Sequence, residues 1–191
     1  DHMLGQIMEA LKRNGQDKNT LLIATGDNGA AGRSYEPLRN NKSSIYEGGH
    51  REPFVARWPG KIKADSLSDQ VICLNDLFAT CADLLGKDLP PDAAEDSVSI
   101  LPALLGKAKV PVREATIHQA PAGLALRQGD WKLITLRNGT RELYNLKDDL
   151  SETHNLLENN KEEAARLQKL LQSYIDKGRS TPGPAQNNEF D

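Results

Sequence analysis

A carboxylate and a side-chain amide stand side by side at Asp27-Asn28, one glycine after the apolar run of residues 20–25 and ahead of Gly29. Their oxygens are hard ligands, suited to Ca²⁺ or Mg²⁺ rather than to a soft metal. In open α/β sheets ligands bind beyond the carboxyl ends of strands, which is where this pair falls. Two oxygens are fewer than Ca²⁺ takes, so further ligands would come from elsewhere, and Asp-Asn-Gly after a strand is also a common turn. A second constellation spans residues 38–53, where Lys42, His50 and Arg51 surround Gly48-Gly49. Glycines allow a tight backbone, and these three side chains could present positive charge to an oxyanion. A solvated charged loop is the plainer alternative.

The elements that must position these residues can be read from periodicity. Met3, Leu4, Ile7, Met8 and Leu11 recur at helical spacing, with Asp1 placed to cap the helix and Gly15 to end it. The continuously apolar run at 20–25 predicts a strand buried on both faces, and helix, short loop and strand together predict a parallel α/β sheet. The long loop at 30–53 is of a length that is usually functional or mobile. Phe54-Val55-Ala56-Arg57-Trp58 is the next apolar stretch, Val71-Ile72-Cys73 a candidate strand, and Leu77, Cys81, Leu84 and Leu85 one face of a helix closed by Gly86. A short helical turn is expected around Leu101, Leu104 and Leu105. Cys73 and Cys81 have no partner at metal-ligand spacing and are expected to be buried thiols.

The character changes after Pro111. Residues 115–118, 123–127, 131–136 and 142–146 are expected to be short strands, the last two joined by a hairpin at Asn138-Gly139. Asn159 and Glu162 resemble a capping box for a helix with an apolar stripe of Leu167, Leu170, Leu171, Tyr174 and Ile175. The expected organisation is therefore an α/β part over 1–109, a small antiparallel sheet with a packed helix over 110–177, and a disordered tail over 178–191. An α/β unit that opens on a helix and one strand reads as the later part of a longer protein.

Three motifs in order give the chain a recognisable likeness. Thr25-Gly26-Asp27-Asn28-Gly29, then residues 42–54 (Lys-Ser-Ser-Ile-Tyr-Glu-Gly-Gly-His-Arg-Glu-Pro-Phe), then Arg57-Trp58-Pro59-Gly60-Lys61-Ile62 closely resemble the type I, formylglycine-dependent sulfatases. The likeness continues through residues 75–80, 127–134 and 142–156. It implies an alkaline-phosphatase-like α/β sandwich, present here as its C-terminal part, with a small α+β subdomain of antiparallel strands and one helix. It implies that Asp27 and Asn28 are ligands to Ca²⁺, that Lys42 binds a sulfate oxygen as a catalytic and substrate-binding group, and that His50 and Arg51 are candidate substrate contacts. A structural ion pair is the favoured role for Arg51. Asn40-Asn41 stands where many relatives have Gly-Gly, a tolerable change because Asn visits the left-handed region. Asp96-Ser97 replaces a frequent Asp-Gly.

The Cys/Ser-x-Pro-x-Arg segment that supplies formylglycine does not occur in these residues, because neither Cys73 nor Cys81 begins it. The expectation is a sulfuric ester hydrolase whose nucleophile lies in a missing N-terminal part, so that this stretch alone is inactive. A phosphodiesterase or phosphonate hydrolase of the same superfamily, or a non-catalytic excised domain, are the alternatives. The expected partner is a sulfated sugar or aryl sulfate ester.

Composition bounds the other classes. The 191 residues suffice for one domain with a core, and a hydrophobic share of 38% argues against wholesale disorder. The 24 basic and 27 acidic side chains give a net charge of −3, which argues against a nucleic-acid surface. No run is apolar for long enough to insert in a bilayer. The resemblance suggests a periplasmic, secreted or lysosomal location, and Asn41-Lys42-Ser43 and Asn138-Gly139-Thr140 fit the glycosylation acceptor pattern.

Overall fold

The computed structural model describes residues 1–33 and 35–187. The first helix, α1 (His2–Arg13), has Asp1 at its N-cap without a side-chain cap bond and hands over to Gly15 at φ 68°. None of its residues is fully buried: Met3 is 76% exposed, whereas Leu4, Met8 and Leu11 are half-buried. Strand β1 (Leu22–Thr25) pairs with β2 (Phe54–Arg57), Leu22 opposite Arg57 and Thr25 opposite Phe54. The pairing is antiparallel, not the expected parallel one. A parallel partner needs a crossover, usually a helix, whereas the described residues between β1 and β2 form turns and one short 3₁₀ segment at Glu47–Gly49 and return the chain in the opposite sense. The strand is also half-buried, with Thr25 exposed.

Val71-Ile72-Cys73 is not a strand. The Cys73 amide donates to the Asp76 carboxylate at 2.8 Å and so is withdrawn from any ladder. Helix α2 (Asp76–Leu84) follows, and it buries Asp76, Ala79 and Thr80 rather than the expected leucine face. The reason is a polar hub. Asp76 takes both oxygens to Arg113 Nη1 at 2.8 Å and accepts the Val98 amide at 3.0 Å, while Thr80 Oγ1 accepts the Ile100 amide at 2.9 Å. Cys81 is exposed and Cys73 half-buried, which corrects the expectation of two buried thiols. Helix α3 (Leu101–Leu104) is the expected short turn.

The second part is a four-stranded antiparallel meander of β3 (Thr116–Ala120), β4 (Gly123–Gln128), β5 (Trp131–Leu136) and β6 (Arg141–Asn145), covered by α4 (Lys161–Lys177). The hairpin at Asn138-Gly139 joins β5 to β6, with Gly139 at φ 84°. Side chains alternate across a sheet, so it has two faces. Leu126, Leu133 and Leu143 meet Ala164, Leu167, Leu171 and Tyr174 of α4. On the opposite face Ala120, Ala125, Ile134, Tyr144 and Leu146 close over Ile45, a residue of the long loop. That second face couples the meander to the candidate site.

Two helix-end expectations are revised. The N-cap of α4 is Asn160, one residue later than the expected box, and its Nδ2 donates to the Leu156 carbonyl at 3.1 Å instead of capping. Beyond Gly178, expected as disordered tail, residues 179–187 fold back. Arg179 is 6% exposed and donates from Nη1 to the Pro91 carbonyl at 2.7 Å, and the Ser180 amide donates to Asp96 Oδ1 at 2.8 Å. The rest of that expectation, residues 188–191, lies outside the described residues.

Candidate active site

Three glycines hold the two loops of the site against each other. The Gly29 amide donates to the Gly49 carbonyl at 3.0 Å, and the Gly48 amide to the Arg39 carbonyl at 2.9 Å. A Cβ on Gly29 would lie 1.9 Å from the Gly48 oxygen, and one on Gly48 would lie 2.1 Å from the Asn40 oxygen. Only bare backbone fits these approaches, so the turn that ends β1 and the Glu47-Gly48-Gly49 segment form one backbone unit. Asn40 has φ 60°, the left-handed conformation that its place in the resemblance anticipated, and Ser43 beside Lys42 has φ 70°.

The unit delivers the expected residues to two adjoining concavities. Asn28, Lys42 and His50 line a cleft of about 470 Å³ together with Ile117, His118 and Gln119 of β3. Asp27, His50 and Arg51 line a broader adjoining concavity, which shares His50 and His118 with the cleft. The structure therefore brings Asn28, Lys42 and His50 onto one cleft and leaves Asp27 and Arg51 on its neighbour, with His50 bordering both. Arg51 Nη1 lies 3.3 Å from Glu47 Oε2, so the ion-pair role is the one it fills here.

Asp27 is exposed and its Oδ1 accepts the Asn28 amide at 3.0 Å. A carboxylate and an amide carbonyl at a strand end are a donor set that fits Ca²⁺ or Mg²⁺ chemically. Among the described residues no group of three or more His, Cys, Asp or Glu could hold a metal.

Under the cleft lies a buried charge cluster. Lys132 of β5 is wholly buried, with Nζ 2.9 Å from Glu47 Oε1, 2.8 Å from Glu152 Oε1 and 3.2 Å from His50 Nε2. Glu152 also accepts the Glu47 amide at 2.6 Å, and Arg127 Nη1 stands 3.8 Å from Glu47. Burial pushes the Glu47 carboxyl up, but the charges of Lys132 and His50 outweigh it and hold the group down to about 2. Burial wins at Glu152, which moves upward although it shares the same ammonium. One ammonium serves two carboxylates, so the titrations of Glu47 and Glu152 are coupled. His50 is pushed down to about 4 by burial and by Lys132, and His118 to about 3 by burial and by His50.

Periodicity missed Lys132, Glu152, His118 and Arg127. A signal existed for three of them: His118, Arg127 and Lys132 fall on the strand face opposite the leucines that meet α4, the face they share with the apolar Ala120, Ala125 and Ile134. Glu152, in a loop at φ 51°, had none.

The mixed α/β architecture, antiparallel meander and site loops are those of the alkaline-phosphatase-like hydrolases, as solved neighbours show. A Bacteroides thetaiotaomicron sulfatase studied for the metabolism of multiple glycosaminoglycans superposes with TM-score 0.78 at 33% identity, covering 88% of this chain and 41% of that one. The sulfatase PsFucS1 from Pseudoalteromonas sp. gives TM-score 0.79 at 27% identity, over 90% of this chain and 40% of that one. The sulfatase family model matches residues 1–87. N-acetylgalactosamine-6-sulfatase of Mus musculus is 35% identical over 139 residues, which are 69% of this chain and 26% of that protein. N-acetylgalactosamine-6-O-sulfatase of Bacteroides thetaiotaomicron is 38% identical over 153 residues, 70% of this chain and 29% of that protein. The chain belongs to the sulfatase family, and it spans roughly a quarter of the length of these two relatives.

Proposed function

We propose that the whole protein to which these residues belong is a sulfuric ester hydrolase acting on a sulfated sugar, with a 6-sulfated N-acetylgalactosamine the first substrate to try. The observation that carries the reading is the cleft where Lys42, Asn28 and His50 converge on a glycine-built backbone unit. The substrate class follows the names of the two relatives.

Cleaving a sulfate ester places charge on the sulfuryl oxygens and on the leaving oxygen. The exposed ammonium of Lys42, on a loop whose backbone is pinned by the glycines, would bind a sulfate oxygen and gain strength as that charge grows. Asp27 and Asn28 would supply two oxygens to a Ca²⁺ or Mg²⁺ ion, whose chemistry when bound is Lewis-acid stabilisation of sulfate charge. His50 would meet the non-reacting part of the substrate. No residue in this stretch follows the formylglycine pattern, so the nucleophile would come from elsewhere in the protein. Export or a lysosomal location accords with the family, and among the described residues no helix is long and apolar enough to cross a membrane.

Steady-state hydrolysis of a chromogenic aryl sulfate and of 6-sulfated N-acetylgalactosamine by the whole protein tests the reading. Release of sulfate from the sugar is expected; turnover of a phosphodiester but of neither sulfate would contradict it.

A further inference from the structure

One wall of the cleft is built by a pair of rings from the two parts of the molecule. His50 leaves the glycine loop, His118 leaves β3, and their imidazoles stack with centroids 3.7 Å apart and planes within 10°. Both border the cleft that holds Lys42 and Asn28. We propose that His118 is a specificity-determining contact to the sugar of the sulfate ester, acting jointly with His50, and that buried Lys132 fixes the tautomer in which His50 meets it. The proposal rests on the sulfatase reading above and extends it to a residue of the C-terminal sheet.

The tautomer follows from counting protons. An ammonium has three donors and no acceptor; Lys132 Nζ is hydrogen-bonded to Glu47 Oε1 and to His50 Nε2, and stands 2.8 Å from Glu152 Oε1 as an ion-pair contact. His50 Nε2 must then offer its lone pair, which puts the ring proton on Nδ1. The Ile45 carbonyl, 3.3 Å from the same nitrogen, would call for the opposite tautomer, but that would set an N–H against the ammonium. His118 likewise has its Nε2 engaged, 3.2 Å from Thr116 Oγ1. Among the described residues neither Nδ1 has a partner, so these are the nitrogens left to a ligand.

The chemistry selects the ligand. Both rings are uncharged at neutral pH, since burial and neighbouring cations hold them down to about 4 and about 3. An uncharged imidazole is a weak partner for a sulfate oxyanion and a good one for a hydroxyl, which both donates and accepts. Lys42 supplies the charge for the sulfate. The cleft that both rings border has a volume of about 470 Å³.

The test uses the whole enzyme with two substrates, 6-sulfated N-acetylgalactosamine and a small aryl sulfate without sugar hydroxyls. His118→Ala is expected to lower kcat/KM on the sugar by roughly 10- to 100-fold, mainly through KM, and to cost the aryl sulfate at least about tenfold less. His118→Gln, which keeps a donor and an acceptor, should recover part of the loss on the sugar. Equal losses on both substrates would make His118 a structural residue, and no loss on either would remove it from the site; each overturns the proposal while leaving the sulfatase reading in place. A wild-type enzyme inert to both sulfates would overturn that reading and this proposal with it. Independently of turnover, ¹⁵N imidazole shifts near neutral pH should show His50 protonated on Nδ1, and a proton on Nε2 would overturn the role given to Lys132.

Discussion

Lys132 Nζ lies 2.9 Å from Glu47 Oε1, a contact that ties the centre of the C-terminal sheet to the segment carrying Gly48 and Gly49. The carboxylate that receives it is 1% exposed and the lysine 0%. The loop that holds Lys42 is thereby fixed from beneath as well as by its own glycines.

Removing the lysine leaves two buried carboxylates facing each other. Lys132→Met should destabilise the protein by about 3–5 kcal/mol, the usual cost of breaking a buried pair on one side. Denaturant titration checks this, and a loss under about 1 kcal/mol would mean that water or Arg127 replaces the ammonium.

Acid should weaken the fold through the two stacked histidines. His50 and His118 ordinarily titrate near 6.5, but folded they stay neutral to about 4 and about 3. Below pH 6.5 the unfolded chain therefore binds more protons, and stability falls as the pH drops towards about 4. Glu47, held down to about 2, extends the decline at lower pH, while Glu152, shifted upward, opposes it in part. The groups facing the rings are Lys132, Glu47, Arg127 and Arg113. Urea midpoints should fall steadily between about pH 7 and pH 4.5, and His118→Phe should flatten that slope. A midpoint independent of pH would contradict the burial of uncharged rings.

Much of this was legible in advance, and the limits have physical causes. The strands of the meander and the closing helix α4 came from period-2 and period-3.6 patterns that packing on both sides reinforces. The glycine loop and the residues Asp27, Asn28 and Lys42 came from motif resemblance. The sense of β1–β2 pairing could not be read from a run of apolar residues, because periodicity is blind to partner direction. Buried charge was misread for a related reason: Asp76, Arg113, Lys132 and Glu152 look like surface residues in sequence, and only their mutual contacts keep them inside.

Gly29 makes the backbone weave testable. Gly29→Ala forces a Cβ to 1.9 Å from the Gly48 oxygen, so one of the two loops must move. Sulfate-ester turnover by the whole enzyme should drop at least about 10²-fold, because displacement of a positioned group by about 1 Å costs that much. Activity within a few-fold of wild type would show that the loops need not touch.

The metal assignment predicts a dependence on divalent cation. Asp27→Ala should raise the Ca²⁺ concentration needed for half-maximal activity by roughly tenfold or more, since it deletes the charged member of the pair. An unchanged Ca²⁺ response, measured after chelator treatment and readdition, would place the cation elsewhere.

Lys42 carries the central claim, and steady-state kinetics of Lys42→Ala in the whole enzyme address it most directly. A fall in kcat/KM of roughly 10²- to 10³-fold is predicted, the cost of losing one preorganised partner of a developing oxyanion. Lys42→Arg should restore little, because a planar guanidinium differs in reach from a compact ammonium. A Lys42→Ala enzyme within a few-fold of wild type would contradict the account and make Lys42 an ordinary exposed lysine on a solvated loop.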